Sequence, residues 1–277
     1  MPNTVTQSNV SQNACVDGFG YYFLDFGEFL NEKYRQKTNS SNSIFQSTVQ
    51  AVVHSSANVH PNASVSSLAW IAENAEIQNG VVIEAFVRIG ASTVVGERTV
   101  IRNSSFVGPN SVIGSDVVFE GSLKLGGNVR IGSRSTIGIN TIVRNGLVAG
   151  DNVQVRAGVF IGENVTIGTG SLVVFAAHVD DESRIGQRSV VDDSSRLGKG
   201  ATLSDDVFIG VLSEVAAGVS IGSSSAVFNW VRLEGGVNIP SNHAVLNAPS
   251  SLDFFAVRNT CPDNHNLPEL AVGTDAE

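Results

Sequence analysis

The chain has 277 residues, with 17 Lys and Arg against 26 Asp and Glu and a formal net charge of −9. This acidic balance argues against nucleic-acid binding, which needs concentrated basic side chains. The sequence has no run of 18 apolar residues, so no membrane span is predicted.

The N-terminal residues and the cysteines indicate a cytoplasmic protein. The first 15 residues are polar and lack the basic and apolar regions of a secretory signal. Cys15 and Cys261 lie in opposite flanks of the chain. We expect two free thiols in a reducing compartment, and a disulfide between them is the alternative.

Residues 1–50 form the first predicted segment. Residues 1–16 have the composition of a disordered lead, and residues 17–36 carry large apolar side chains at helical spacing. Gly20 and Gly27 weaken this helix, because glycine in a helix interior costs stability. We interpret the helix as a cap on the segment that follows, with a partner-binding helix as the alternative. Residues 37–50 are a linker rich in Ser and Asn.

Residues 51–248 carry an unbroken six-residue repeat. From Val53 to Val245 every sixth residue, 33 positions in all, is aliphatic or Phe, and Ala149 is the single exception. The residue two positions earlier is small or apolar in every case except the last, where it is His243. Since a strand turns alternate residues to one face, both positions are predicted to point into a core.

A hexapeptide period is typical of a parallel β-helix. Three hexads make one triangular coil of 18 residues, so the repeat predicts about 11 coils that stack about 4.8 Å apart. Glycine follows the aliphatic residue in 14 of the hexads, where it permits a tight corner. Residues 249–277 are predicted to be a C-terminal cap or tail.

The repeats resemble those of the hexapeptide-repeat, left-handed β-helix superfamily. IGASTV, VGPNSV, IGSDVV and IGENVT match its pattern, [LIV]-[GAED]-x-x-[STAV]-x. The resemblance implies an all-β fold, a left-handed parallel β-helix of about 11 coils with a short N-terminal helical segment and a C-terminal tail. It also implies a homotrimer that transfers an acyl group from acyl-coenzyme A or acyl carrier protein.

Two stretches resemble particular branches of this superfamily. DDVFIGVLSEVAAGVSIG (205–222) is similar to tetrahydrodipicolinate N-succinyltransferases. VNIPSNHAVLNA (237–248) is similar to the last coil of many acetyltransferases, but the Gly-x-Pro-Ala segment that follows in those enzymes is missing here.

The regular coil sorts the outward side chains onto three faces, and the first face collects five basic and three aromatic residues. Its outward row is Val52, Trp70, Arg88, Phe106, Lys124, Ile142, Phe160, His178, Arg196, Glu214 and Arg232. Such a wall suits an anionic, partly planar ligand, for example an acyl-coenzyme A. A solvated face held by ion pairs is the alternative.

His178 is the candidate catalytic base, because it is the only histidine in the middle of the repeat. A general base needs a neutral imidazole near pH 7, oriented by a carboxylate. We expect Asp180 or Glu214 to supply that carboxylate. In the resembling superfamily an outward histidine at a subunit interface deprotonates the acceptor amine or hydroxyl. The predicted binding residues are Arg196, Arg232, Phe160 and Arg144. A plain surface histidine is the alternative.

No metal site is predicted, because a zinc site needs three converging ligands and the other histidines lie at the ends of the repeat. The third face is apolar and predicts the trimer interface, with packing of the C-terminal segment as the alternative. Its apolar side chains include Val82, Val100, Val118, Leu172, Val190 and Phe208, with Phe86, Phe175, Leu212 and Trp230 at the adjoining corners.

Two other functions remain open at the level of the sequence. Uninterrupted coils suit a non-catalytic scaffold subunit, since acyltransferases of this fold usually carry loops that shape a pocket. The fold is also compatible with a biosynthetic enzyme that performs non-acyl chemistry.

Overall fold

The computed structural model describes residues 34–35 and 51–246, which form a β-solenoid. Most of the predicted capping helix, the linker and the tail (249–277) lie outside the described residues. Tyr34–Arg35, at the end of the predicted helix, instead form a strand that pairs antiparallel with Val52–His54. The edge of a sheet offers unpaired backbone groups that another strand can satisfy.

Three sheets make the sides of the solenoid. The first sheet contains Tyr34–Arg35, Val52–His54, Trp70–Ile71, Arg88–Ile89, Phe106–Val107, Lys124–Leu125, Ile142–Val143, Phe160–Ile161, His178–Val179, Arg196–Leu197, Glu214–Val215 and Arg232–Leu233. The second sheet contains Asn58–Val59, Glu76–Ile77, Val94–Val95, Val112–Ile113, Arg130–Ile131, Val148–Ala149, Thr166–Ile167, Arg184–Ile185, Thr202–Leu203, Ser220–Ile221 and Asn238–Ile239. The third sheet contains Ser64–Val65, Val82–Ile83, Val100–Ile101, Val118–Phe119, Thr136–Ile137, Gln154–Val155, Leu172–Val173, Val190–Val191, Phe208–Ile209, Ala226–Val227 and Ala244–Val245.

Neighbouring strands of the repeat are parallel and 18 residues apart in sequence. Phe160 is the register partner of His178, which is the partner of Arg196. The predicted all-β solenoid of about 11 coils is therefore confirmed. Among the described residues, no helix is long and apolar enough to cross a membrane.

The core is the column of inward aliphatic side chains that the hexad pattern predicts. Ile71, Ile101, Ile161 and Val215 have no exposed surface, whereas Val53 and Val245, at the two ends, retain 8%. Burying a side chain of this size stabilises the fold by about 1.5–3 kcal/mol relative to leaving it exposed. Because every coil covers the next, the inward side chains are shielded from solvent except at the two ends of the solenoid.

Buried hydroxyls join consecutive coils. Ser189 donates a hydrogen bond from Oγ to the carbonyl of Ser204 at 3.0 Å and accepts one from the amide of Val207 at 3.1 Å. The buried polar residues of this type are Thr93, Thr99, Ser105, Ser111, Ser135, Thr141, Ser171, Ser183, Ser189, Ser195, Ser213 and Ser225. A buried hydroxyl with a satisfied hydrogen bond costs little, so these small inward residues also link the coils, except Ser105 and Ser195, which bond to carbonyls of their own corner.

The corners have a fixed geometry. The fourth residue of most hexads, counted from the inward aliphatic, has a left-handed backbone, as in Asn110 with φ 56°. The glycine that follows the aliphatic has another role: a Cβ on Gly108 would lie 2.4 Å from the backbone carbon of Gly126. Glycine at this position therefore lets the coils approach each other closely.

Candidate functional site

The site develops around His178 on the outward face of the first sheet. Phe160, His178 and Arg196 occupy the same outward position in three consecutive strands. Because neighbouring strands lie about 4.8 Å apart, large side chains on adjacent strands of this row are within contact distance of each other.

Phe160 and His178 form a ring stack. Their ring centroids are 4.5 Å apart, and the two planes differ by 14°. The guanidinium carbon of Arg144 lies over the Phe160 ring, 5.3 Å from its centroid. Arg144 and His178 approach Phe160 from the two neighbouring coils, so the aromatic ring lies between a cation and an imidazole.

Two aspartates hold the two arginines beside the stack. Arg144 Nη1 is 3.8 Å from Asp181 Oδ1, and this oxygen also accepts a hydrogen bond from the amide of Glu163 at 2.7 Å. Arg196 Nη2 is 4.0 Å from Asp180 Oδ2. Each cation therefore has a carboxylate neighbour.

The surroundings of His178 favour its neutral form. Partial burial is the main reason that its pKa lies below the ordinary histidine value. Arg196 and Arg144 lower this pKa further, whereas Asp180 and Asp181 oppose them by raising it. A lowered pKa favours the neutral imidazole that a general base requires.

The structure brings five of the seven predicted site residues together. They are His178, Asp180, Arg196, Phe160 and Arg144. Glu214 lies beyond Arg196 in the row, and its carboxylate faces Arg232 Nη1 at 3.5 Å. Arg232 also contacts Glu234 through Nε at 3.3 Å. Glu214 and Arg232 thus form a separate ion cluster one step further along the face.

Asp180 lies beside His178 without a hydrogen bond to it. Its Oδ1 accepts from the amide of Asp181 at 2.9 Å, and its Oδ2 faces Arg196. Within residues 51–246, no side chain hydrogen-bonds to the imidazole of His178. The predicted orienting carboxylate therefore acts on His178 through its charge and not through a hydrogen bond.

Asp181 is a site residue that the sequence analysis missed. It occupies the third hexad position, where the side chains of Asn145 and Asp205 also accept hydrogen bonds from the preceding coil. This recurring position is the signal that identifies it, because an aspartate there is fixed at the corner beside the first face.

Each of the remaining described histidines contacts a polar group two residues further along or back in its own corner. Nδ1 of His54 lies 2.8 Å from Ser56 Oγ, and Nδ1 of His60 accepts from the amide of Asn62 at 3.1 Å. Nδ1 of His243 lies 2.8 Å from the carbonyl oxygen of Ser241. In the described residues, no three His, Cys, Asp or Glu side chains are grouped so as to hold a metal ion.

Two edges of the solenoid differ in chemistry. The apolar edge, between the third and first sheets, exposes Phe86, Phe175, Leu212 and Trp230 at its corners. Trp230 is 65% exposed and Phe86 is 61% exposed. The charged edge, between the second and third sheets, carries Arg98, Asp116, Arg134, Arg188 and Asp206. The apolar edge borders the face that carries His178.

The comparisons with known proteins concern the fold. No protein-family model matches the chain, and no curated protein matches it in sequence. The UDP-N-acetylglucosamine acyltransferase of Francisella novicida is 20% identical over 64% of this chain and 67% of its own, with a TM-score of 0.52. That of Arabidopsis is 19% identical over 70% of each chain, with a TM-score of 0.44. The first likeness shows that the chain shares the fold of that enzyme, and this fold agrees with the resemblance of the hexads to the hexapeptide-repeat, left-handed β-helix superfamily.

Proposed function

We propose that the protein is an acyltransferase that moves an acyl group from acyl-coenzyme A, or from an acyl carrier protein, to an amine or hydroxyl of a small metabolite. The observation that carries this proposal is a ring-stacked His178 with a lowered pKa on an outward face, flanked by Arg144 and Arg196. A base beside two cations suits a reaction in which an anionic substrate delivers a carbonyl group.

In the proposed reaction His178 takes the proton from the acceptor as its nitrogen or oxygen attacks the thioester carbonyl. The tetrahedral intermediate collapses, the carbon–sulfur bond breaks, and the imidazolium returns its proton to the thiolate that leaves. Asp180 and Asp181 stabilise the imidazolium by their charge, since both raise the pKa of His178. The change in protonation thus occurs beside two fixed carboxylates.

Arg196 is proposed as the main contact to the anionic part of a substrate. Its side chain is 56% exposed, and its ion-pair contact within residues 51–246 is to a single carboxylate oxygen, at 4.0 Å. A guanidinium presents several N–H donors in a planar fork that matches a carboxylate or a phosphate. Arg144 supports the opposite side of the stack. Arg232 is proposed as a further binding residue two strands beyond Arg196, where it contacts Glu214 and Glu234.

We also propose a homotrimer in the cytoplasm, packed through the apolar outward side chains of the third sheet and through the apolar edge. A single solenoid presents His178 on an open face, whereas acyl transfer needs a site that excludes water from the thioester. A neighbouring copy on the apolar edge would cover one side of that face. A donor is proposed to bind in the groove between the copies.

A titration of the full-length protein with a panel of acyl-coenzyme A donors tests the proposal. We expect a saturable rise in Tm with at least one donor, followed by release of free thiol when an acceptor is added. Arg196→Ala should weaken donor binding and raise KM more than it lowers kcat, because the contact is made in both ground and transition states. Arg184→Ala is the matched control, since Arg184 lies in the coil before Arg196 and on the second sheet.

The scaffold function is the second candidate, and one observation favours it. The corners from residue 51 to residue 246 are all short, so no loop shapes a pocket over the first face. A scaffold predicts that no donor changes the Tm of the wild type. That result, with donors of short, long and charged acyl chains, would overturn the acyltransferase proposal.

A further inference from the structure

We infer that Phe160 is the positioning residue of His178: its ring fixes the plane of the imidazole and shields one imidazole face from water. This inference rests on the proposed role of His178 as the base in acyl transfer. It gives the aromatic ring the orienting task that the sequence analysis assigned to a carboxylate.

The contacts of His178 support this role. A general base needs a fixed ring plane, which a hydrogen bond to its second nitrogen usually supplies. Within residues 51–246 the imidazole has no such bond, and its directional contact is the stack on Phe160, at 4.5 Å and 14°. Rotation of the imidazole about χ2 would break this near-parallel contact, so the stack limits the orientations that the base adopts.

Phe160 is itself held in place by a series of contacts that ends at the backbone. The amide of Glu163 donates to Asp181, Asp181 faces Arg144, and Arg144 lies over the Phe160 ring. Phe160 is half-buried in the row, between the strands that begin at Ile142 and His178. The ring that positions the base is therefore fixed on both of its sides.

The same contact contributes to the lowered pKa of His178. Four charged groups face His178, and the cations Arg196 and Arg144 oppose the anions Asp180 and Asp181. Burial is the largest influence on its pKa, and the ring of Phe160 covers one face of the imidazole. Removing this ring exposes the imidazole and also frees Arg144 to move away. Both changes raise the pKa of His178 towards the ordinary value.

The first experiment follows the His178 ring in the full-length protein by nuclear magnetic resonance, with histidine labelled at Cε1 and the signal assigned through His178→Gln. We expect Phe160→Leu to raise the pKa of His178 and to abolish the ring-current shift that a stacked phenyl ring imposes. Phe160→Tyr should retain both properties, because its ring can stack in the same way. Phe106→Leu is the matched control, since Phe106 occupies the same row three strands away.

The second experiment measures kinetics with a donor and an acceptor that the wild type uses. Phe160→Leu should lower kcat by about 10-fold to 100-fold, since misplacing a catalytic group by 1 Å costs up to about 10²-fold. KM should change little, and the acid limb of the pH profile should move to higher pH. Phe160→Tyr should restore kcat.

The two experiments separate this inference from the proposed function. If Phe160→Leu leaves the pKa and the ring-current shift of His178 unchanged, Phe160 does not position the base and the inference fails. If the variant raises KM and leaves kcat unchanged, Phe160 contacts substrate and the inference also fails. If the resonance results are as expected and the wild type transfers no acyl group, the acyltransferase proposal fails and the ring contact stands.

Discussion

The apolar edge and the charged edge place different side chains on the same backbone. Phe86, Leu212 and Trp230 have φ values of 60°, 56° and 67°, and Arg98 and Asp206 at the charged edge have 56° and 59°. Left-handed backbone suits glycine and asparagine and is strained for bulky side chains. The geometry of the corner therefore does not explain why one edge is apolar.

Ion pairs explain which side chains occupy the charged edge, but they do not explain the side chains of the apolar edge. Arg98 binds Asp116, and Arg188 binds Asp206, through paired hydrogen bonds between successive coils. The large side chains of the apolar edge combine a strained backbone with exposed apolar surface. Such a combination is typical of a surface that another molecule covers, and we propose this edge as the contact side of the molecule. The two edges thus separate a side held by ion pairs from the proposed contact side, which adjoins His178.

The largest effect is expected in the core, which has the same inward aliphatic column beneath the apolar edge and the charged edge. Ile131→Asp places an unpaired charge in the inward column, where Ile131 is 2% exposed, and should unfold or aggregate the protein. Arg130→Asp, at the neighbouring outward position, should stay folded. Circular dichroism and solubility measure both results. A soluble Ile131→Asp variant that melts cooperatively would contradict the inward assignment.

The second effect tests the contact side directly. Replacing Phe86, Leu212 and Trp230 together by Asn should yield a folded monomer of about 29.1 kDa, because asparagine tolerates left-handed backbone and removes the apolar surface. Arg98→Asn with Arg188→Asn, at the charged edge, should leave the assembly intact. Light scattering measures the mass. A wild type that is already a 29.1 kDa monomer at micromolar concentration would remove the trimer and its groove.

Much of this molecule is readable in the sequence, because the repeat is local. Each hexad fixes one strand and one corner, so the inward aliphatics, the 18-residue register and the three outward faces follow from counting. The apolar corners at Phe86, Phe175, Leu212 and Trp230 were also predicted from this counting. Their left-handed backbone was not, since bulky side chains normally avoid it.

The details of the site were harder to predict. The first-face row placed Phe160 beside His178, but the stack depends on side-chain rotamers that no spacing reveals. Asp180 and Glu214 were expected to orient the imidazole, while the structure directs their carboxylates towards Arg196 and Arg232. An arginine side chain is longer than a histidine side chain. The neighbouring arginines therefore contact these carboxylates, and the imidazole of His178 does not hydrogen-bond to them.

The third effect is expected at His178, beside the apolar edge. A substitution there should alter activity without altering assembly. His178→Ala should lower turnover by at least about 10²-fold, the usual scale for loss of a general base. The Tm and the mass should remain those of the wild type, since the side chain points outward. In the wild type, the acid limb should lie below the ordinary histidine pKa of about 6.5, because the pKa of His178 is lowered. Equal turnover in His178→Ala would exclude it as the base.

The smallest effect is expected at the charged edge. Asp206→Asn removes one charge of the pair with Arg188 and keeps a side chain that suits the corner. Exposed ion pairs contribute little, so the Tm should fall only slightly at pH 7.

The pH dependence of this pair gives a further check. Arg188 lowers the pKa of Asp206, so the pair stabilises the fold above the unfolded pKa of about 3.9. It loses this contribution as pH falls through the lower folded value. The wild type and the variant should therefore melt together at the acid end. A large loss of Tm in Asp206→Asn at pH 7, or a change in mass, would mean that the charged edge also carries a contact, and the distinction between the two edges would fail.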